Sequence, residues 1–298
     1  MTKLKGKVTL SFDCEGKWGM ADREHDWLSM LTNNNLIEAY QYILEILEKY
    51  NIAATFAFVG ALTETKENFL NNSLPKLTGN NHQRWLQPIM KSIDHNEGWF
   101  LPEVFELVKK STIHECASHG YTHTPFSHLD SSEFITEMNL VKKWSLDNEI
   151  KCKTLVYPRN DIKYSKFLKD YGVLLYRKSP NLFHFKFFPK HLNTLFEEFN
   201  ILKQSEKMIS DECGIPGGLF INWKHGPRKL IPSKISNLKY RNILNDAVER
   251  NNIAHFWIHP HNFITAPETK KIFENLCQQI QNKVESDQLD IYRQIDFI

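Results

Sequence analysis

The stretch VTLSFDCEG, residues 8–16, joins an apolar run of strand-forming residues to a pair of carboxylates. Residues two apart in a strand face the same way, so Asp13 and Glu15 project together and Cys14 projects to the opposite face. Two carboxylates held close together are costly unless a positive charge lies near them. The stretch therefore predicts a buried strand ending in a divalent metal site, with one carboxylate as ligand and the other as a base.

Six further runs of this kind follow along the chain. They are AATFAFVG (53–60), HECASH (114–119), TLVYP (154–158), VLLYR (173–177), GLFINW (218–223) and AHFWIHP (254–260). Most are continuously apolar rather than alternating, the pattern expected of strands buried on both faces of a parallel sheet.

Helical patterns separate many of these runs. The predicted helices span 35–50, 102–111, 131–147, 161–171, 239–251 and 267–284. Such alternation predicts an α/β fold of right-handed βαβ units in a sheet or barrel. Residues 61–99 and 178–217 show no clear period, and we interpret both as insertions on a barrel rim. Because no internal repeat or low-complexity linker interrupts the chain, we expect a single domain over 1–298.

Composition limits the class of protein. The 298 residues are 41% hydrophobic and 12% aromatic, enough for a packed core. The 37 basic residues nearly balance 35 acidic ones and form no basic run, so we expect no nucleic-acid partner. The start of the chain lacks an apolar stretch long enough for a secretory signal, and no segment reaches the ~20 apolar residues of a membrane span. Five widely spaced cysteines are typical of a reducing compartment, and we expect a cytoplasmic protein of undetermined oligomeric state.

The segment SHGYTH, residues 118–123, carries two histidines at the end of a predicted strand. If the chain turns helically after His119, then His119 and His123 share a face and can bind one metal ion. Two histidines and one carboxylate leave positions open for water, as a catalytic site requires. Such a set suits zinc first, and also cobalt, nickel or iron. Taken alone, the spacing is weak evidence, since the chain has 13 histidines.

WIHPHNF, residues 257–263, ends the last strong strand. An imidazole here, His259 or His261, is suited to donate a proton to a leaving amine. The alternative is that either histidine caps the strand end by hydrogen bonding. Asn262, beside them, is a candidate substrate contact.

VYPRND, residues 156–161, places an arginine just after another strand. The planar guanidinium of Arg159 is suited to orient a carboxylate such as Asp13, although a surface salt bridge is the simpler interpretation. Its neighbour Asn160 is a second candidate substrate contact. All of these segments lie at the carboxyl ends of predicted strands, the face of a β/α barrel where active sites are built.

Three aromatic residues are candidates for stacking on a sugar ring: Trp18, Tyr121 and Trp85. For any one of them, burial in the core is the commoner explanation.

The ordered set of motifs resembles the polysaccharide deacetylase family, the NodB-homology carbohydrate esterases of family 4. SFDCEG resembles the D-x-E variant of its acidic motif and SHGYTH its H-x-x-x-H metal motif. ATFAFVG resembles the strand between them and WIHPHNF the C-terminal histidine motif. The resemblance runs from about residue 8 to residue 263 and implies a distorted (β/α)₇ barrel.

The resemblance also implies roles for single residues. Asp13 is expected to be the general base, Glu15, His119 and His123 the ligands of one divalent metal ion, and His259 the general acid. In the common family motif an adjacent aspartate binds the metal, and Cys14 stands at that position here. A thiolate ligand at Cys14 therefore remains an alternative to Glu15.

The activity implied is removal of an N-acyl group, an N-acetyl group above all, from an amino sugar carried by a nucleotide, a lipid or an oligosaccharide. PRN and HPHN resemble a subgroup associated with surface-polysaccharide biosynthesis, of O-antigen or capsule. One alternative is a deformylase or cyclic-amide hydrolase on the same fold. The alternative of another class is a sugar-binding or scaffold barrel without chemistry.

Overall fold

The computed structural model describes residues 5–94, 97–181, 189–208 and 213–298. Within these ranges the strands are β1 (Gly6–Cys14), β2 (Thr55–Phe58), β3 (Glu115–Ser118), β4 (Thr154–Val156), β5 (Leu175–Arg177), β6 (Gly214–Ile215), β7 (Leu219–Phe220), β8 (Ile253–Ile258) and β9 (Leu289–Ile291). The helices are α1 (Asn33–Lys49), α2 (Lys66–Asn68), α3 (Asn80–Ser92), α4 (Pro102–Lys109), α5 (Ser131–Asp147), α6 (Lys190–Phe199), α7 (Ser233–Arg250), α8 (Asn262–Thr265) and α9 (Thr269–Glu285). Each of the seven predicted strands is present.

The named strands pair in parallel throughout, in the order β6-β5-β4-β3-β2-β1-β8-β7. The ninth strand, β9, pairs with the start of β1. This arrangement confirms the predicted α/β class and the distorted (β/α)₇ barrel. Because parallel strands end at the same edge of a sheet, the carboxyl ends of β1, β3, β4, β5 and β8 face one cavity.

Helix α5 is the helix whose bounds were predicted without error, and its start is capped. The Asp130 side chain accepts hydrogen bonds from the backbone N–H groups of Ser132 and Glu133, and the Glu133 side chain returns a bond to the Asp130 N–H. This capping box satisfies backbone donors that a helix start otherwise leaves unpaired. It also fixes which face of α5 turns to the barrel.

The predicted helix at 161–171 was wrong in type. A short 3₁₀ helix, Ser165–Tyr171, lies there between Tyr164 and Gly172, both left-handed. Left-handed residues at both ends confine the segment to about two turns. Of the predicted insertion at 178–217, residues 182–188 and 209–212 lie outside the described ranges. The predicted insertion at 61–99 forms α2, α3 and short turns, and its interpretation as a rim insertion stays a prediction.

Among the described residues, none of the helices combines the length and apolar character needed to cross a membrane.

We expect the barrel core to depend on α1, which buries one apolar stripe and stacks Tyr40 on Phe58 of β2. Leu47 on this stripe is fully buried, whereas Leu146 near the end of α5 is 69% exposed. Leu47→Ala is expected to lower the free energy of unfolding by about 2–5 kcal/mol, because it removes buried methyl groups and leaves a cavity. Leu146→Ala is expected to change it by less than about 0.5 kcal/mol. Urea denaturation followed by far-UV circular dichroism measures both, and equal losses in the two variants would contradict this packing.

Candidate metal centre and active site

The two carboxylates at the end of β1 lie on the floor of one cavity. Asp13 and Glu15 are both buried and line it together. Cys14 points the other way, where its thiol lies against Tyr40 of α1. Burial raises the pKa of the Cys14 thiol well above its usual value. Strand alternation therefore separates the three side chains as predicted, and the thiol is neutral and remote from the cavity.

Glu15, His119 and His123 bring their ligand atoms together. The Nε2 atom of His123 lies 2.9 Å from Glu15 Oε2 and 3.2 Å from His119 Nε2. The third side of the triangle, from His119 Nε2 to Glu15 Oε2, is 3.4 Å. All three residues are buried. A tetrahedral zinc ion with bonds of about 2.1 Å spaces its ligands about 3.4 Å apart, so this triangle fits one such ion.

The chemistry of the donor set supports the same fit. His119 Nδ1 lies 2.8 Å from the carbonyl oxygen of Val156. A carbonyl only accepts, so Nδ1 carries the hydrogen and Nε2 presents a lone pair toward Glu15. A second partner that fixes the tautomer in this way is typical of histidines that bind metal. Lone pairs facing a carboxylate at these distances repel unless a proton or a cation lies between them.

The expected helical turn between the two histidines was wrong. His119 ends β3, and an irregular loop follows in which Gly120 has φ +76° and His123 has φ +60°. The left-handed residues fold the loop back so that both imidazoles face Glu15. A helix would have carried the backbone away from the strand ends. Gly120 adopts its positive φ without steric strain, because it has no Cβ.

Gly19 lies directly against the same carboxylate. A Cβ built on Gly19 would lie 2.1 Å from the carboxyl group of Glu15. A larger residue at this position would therefore displace the Glu15 carboxylate from its place beside the histidines. The loop thereby closes over one side of the candidate metal site.

Asp13 is held by an arginine that sequence reasoning missed. Arg177, the last residue of β5, donates from Nη1 to Asp13 Oδ1 and from Nη2 to Asp13 Oδ2, each at 2.7 Å. Burial alone raises the pKa of Asp13, but the Arg177 guanidinium outweighs it and holds that pKa below its usual range. Asp13 is therefore ionised, as a base must be. An arginine at the end of the predicted strand VLLYR was the available signal.

The expectation that Arg159 orients Asp13 was wrong. Arg159 lines the cavity, but its Nη2 donates to the Gly19 carbonyl at 2.9 Å and to Asp22. Both Arg159 and Asn160 are left-handed, which turns the arginine toward the loop after β1. The neighbouring Asn160 instead accepts a bond from Arg177 Nη2 at 3.0 Å. Asn160 thus supports the ion pair from the rim.

The C-terminal histidine segment lies on the other side of Glu15. His259 Nε2 is 3.4 Å from Glu15 Oε1, and Asn262 Oδ1 lies 3.2 Å from His259 Nδ1. His261 stacks on His259 at 4.8 Å and on Trp27 at 5.5 Å. Burial lowers the pKa of His261 to about 3, so that ring is neutral near pH 7. His259 is the histidine of the pair placed to exchange a proton, and His261 to position it.

The cavity around these groups measures about 610 Å³. Its wall carries three aromatic side chains absent from our sequence-based prediction, namely Phe220, Trp223 and Trp257. The predicted sugar contacts Asn160, His261 and Asn262 do line it. Trp18 and Tyr121 do not: both are buried, with Trp18 Nε1 donating to the Trp99 carbonyl and the Tyr121 hydroxyl donating to Glu64. Their interpretation as stacking platforms was wrong, because they are core residues beneath the site.

The loop that carries the two histidines is held from α5 by Glu137. This fully buried carboxylate accepts hydrogen bonds on Oε1 from the backbone N–H groups of Tyr121 and Thr122, at 2.7 and 2.8 Å. Its Oε2 accepts from Thr122 Oγ1 at 2.9 Å and lies 3.3 Å from His82 Nε2. Trp85 of α3 adds a bond to the Thr122 carbonyl. These contacts stabilise the irregular loop between His119 and His123.

Comparison with known proteins identifies the relatives of this chain. Residues 21–168, about half of the chain, match the family model described as polysaccharide deacetylase. That span contains both histidines of the candidate metal site. No curated protein sequence matches the chain.

Solved structures give a likeness at the level of the fold. A putative polysaccharide deacetylase from Mycobacterium smegmatis is 13% identical with a TM-score of 0.53, and the match covers 98% of this chain and 94% of that one. A family 4 carbohydrate esterase from Streptomyces lividans, solved in complex with acetate, is 10% identical with a TM-score of 0.45, covering 95% and 90%. At these identities the comparison shows the fold alone.

The loop contacts predict that Glu137 sets the affinity of the metal site. Glu137→Ala leaves two buried N–H groups without an acceptor, so we expect zinc affinity to fall about ten- to a hundredfold. Glu137→Gln keeps an oxygen for both N–H groups and is expected to retain most of that affinity. Competition with a chromogenic chelator at pH 7 measures the affinity.

Glu133→Ala is the matched control. Glu133 is one turn earlier on α5, equally buried, and it accepts from the backbone of Asn81 and His82 rather than from the histidine loop. We expect this variant to lose stability but to keep its zinc affinity. Equal affinities in Glu137→Ala and Glu133→Ala would show that Glu137 has no specific influence on the site.

Proposed function

We propose that this chain, which belongs to the polysaccharide deacetylase family, is a metal-dependent hydrolase that removes an N-acyl group, and specifically an N-acetyl group, from an amino sugar. The observation that carries the proposal is the convergence of two buried carboxylates and four histidines on one cavity. The deacetylases of this family are hydrolases that act on carbon–nitrogen bonds. A binding protein has no need of an ionised carboxylate beside a triangle of ligand atoms.

In the proposed site, Glu15, His119 and His123 hold the ion. A divalent ion bound there supplies a Lewis acid, which polarises the acyl carbonyl and lowers the pKa of water. Asp13, kept ionised by Arg177, accepts the proton of the attacking water. Because the guanidinium binds both carboxylate oxygens, the base cannot rotate away from the reacting centre.

His259 is proposed to give a proton to the departing amine. It lies across Glu15 from the other two histidines, on the Oε1 side of the carboxylate. Asn262 and the stacked His261 restrain the ring. The proposed acid and base thus reach the ligand set from the neighbouring strands β8 and β1.

The proposal also includes the identity of the metal ion and the cellular role of the enzyme. Zinc is the first choice, because two imidazoles and a carboxylate form a common catalytic zinc set. A role in surface-polysaccharide biosynthesis, carried out in the cytoplasm, is supported by the PRN and HPHN segments and by five unpaired cysteines.

The proposal predicts two distinguishable classes of variant. His119→Ala is expected to lose metal and activity together, because it removes a ligand. Asp13→Asn keeps the shape of the side chain and is expected to retain the metal while kcat falls about 10²–10⁴-fold, the usual contribution of a general base. Metal content is measured by mass spectrometry and amine release by fluorescence, on a panel of N-acetylated sugars.

Two results would contradict the proposal. The first is amine release that persists after a chelator has removed the metal. The second is an Asp13→Asn protein that loses its metal, since Asp13 would then be a ligand rather than a base. The exposed Asp147→Asn, on α5, is the control for the change of a carboxylate to an amide, and both readouts are expected to stay at wild-type levels.

A further inference from the structure

Three arginines line the same cavity as the candidate metal ligands. Arg23 follows β1 in the chain, Arg159 follows β4 and Arg228 follows β7. They reach the cavity from three different strand ends. Among the described residues that line it, two are carboxylates, Asp13 and Glu15. Asp22 pairs with Arg159 and lies 3.9 Å from Arg23 Nε, and Glu198 pairs with Arg228. Each guanidinium therefore has a carboxylate nearby but keeps N–H donors that no described residue uses.

The arginines are not needed to neutralise the floor of the cavity. Asp13 already has a two-pronged partner in Arg177, and Glu15 faces three imidazoles. Cations that serve only to balance buried carboxylates would lie beside them. The three arginines lie instead around the floor, where an incoming substrate meets them.

Arg228 is anchored in a way that leaves most of its donors available. Its Nε donates to Glu198 Oε1 at 3.0 Å, and the guanidinium lies over the Phe220 ring at 5.2 Å. Within the described ranges, its two terminal amino groups have no partner. A guanidinium that is held through Nε and an aromatic ring is pre-organised to bind an anion through its two terminal amino groups.

Arg159 is held just as firmly, at a cost in backbone conformation. It donates to the Gly19 carbonyl and lies over the Trp85 ring at 5.4 Å. Its φ of 59° lies in the left-handed region, which residues with side chains rarely adopt. Such conformations persist mainly where the surrounding structure enforces them, often at ligand sites. This backbone conformation, together with the contacts to Gly19 and Trp85, directs the Arg159 guanidinium toward the cavity rather than toward bulk solvent.

We infer that the amino-sugar substrate carries a phosphoryl group, which Arg23, Arg159 and Arg228 bind beside the metal site. This inference rests on the proposed function for the identity of the reacting sugar. Guanidinium forks match phosphate oxygens in two-pronged pairs, and three of them suit the multiple charges of a diphosphate better than one planar carboxylate. A neutral oligosaccharide would offer no anion to the terminal amino groups of Arg228, whose Nε alone is bonded, to Glu198, among the described residues. Nucleotide and lipid carriers both supply the required diphosphate.

Substrate selectivity tests the inference. The metal-loaded protein is assayed for amine release from UDP-N-acetylglucosamine, farnesyl-diphosphate-linked N-acetylglucosamine and the neutral methyl N-acetylglucosaminide. Arg228→Met keeps the length of the side chain and its packing on Phe220. It is expected to lower kcat/KM for the diphosphates at least tenfold more than for the neutral sugar. Arg241→Met, at an exposed position of α7 outside the cavity, is expected to leave all values unchanged. The ratio of the two diphosphates distinguishes the carriers.

Binding of inorganic pyrophosphate, measured by calorimetry, is independent of catalysis. We expect Arg228→Met to weaken it at least tenfold relative to the wild type, and since the metal is present in both proteins its contribution cancels. Pyrophosphate binding that depends on Arg228, with no amine released from any sugar, would overturn the proposed function and leave the phosphoryl site standing. Amine release with equal losses on charged and neutral sugars, and pyrophosphate binding insensitive to Arg228, would overturn the phosphoryl site alone.

Discussion

The ion pair between Asp13 and Arg177 is the interaction on which the site depends. Both groups are buried in the barrel, and removing either would leave a charge without a partner in a low-dielectric interior. The pair joins the ends of β1 and β5, which are separated by three strands in the sheet. Asn160 extends it to the end of β4, and Ser11 lies 3.4 Å from Arg177 Nη1. The same contact therefore fixes the Asp13 carboxylate, the proposed base, and links the ends of the two strands.

The strand ends were predictable because a parallel sheet imposes simple rules. Alternation along β1 correctly separated Cys14 from its two neighbours, and the carboxyl ends of strands far apart in sequence met at one cavity. What failed were predictions that depended on backbone torsion. The loop from His119 to His123 is irregular, and the left-handed Arg159 points toward Gly19 rather than Asp13. Hydrophobic periodicity in the sequence does not indicate either of these backbone conformations.

Residues chosen by type alone were the least reliable predictions. Trp18 and Tyr121 each combine an apolar ring with a polar group, so the residue type suits both a core position and a sugar contact. Their hydrogen bonds to Trp99 and Glu64, which the sequence does not reveal, place both in the core. Arg177 was missed for the opposite reason. It ends a strand that reads as apolar, and its partner is 164 residues away in the chain. Partners so distant in sequence are settled by the closed fold, not by local pattern.

The pairing of β1 with β8 has a consequence for how the molecule is made. Besides β2, the first described strand pairs with β8, which begins at Ile253, and with β9, which begins at Leu289. Contacts between residues so far apart in sequence form late and slow the folding of a domain. During synthesis, Glu15 emerges long before His259, so the nascent chain carries its acidic residues without the wall that later encloses them. The proposed site is therefore complete only after β8 has been synthesised, and a chain that stops before His259 lacks one of its histidines.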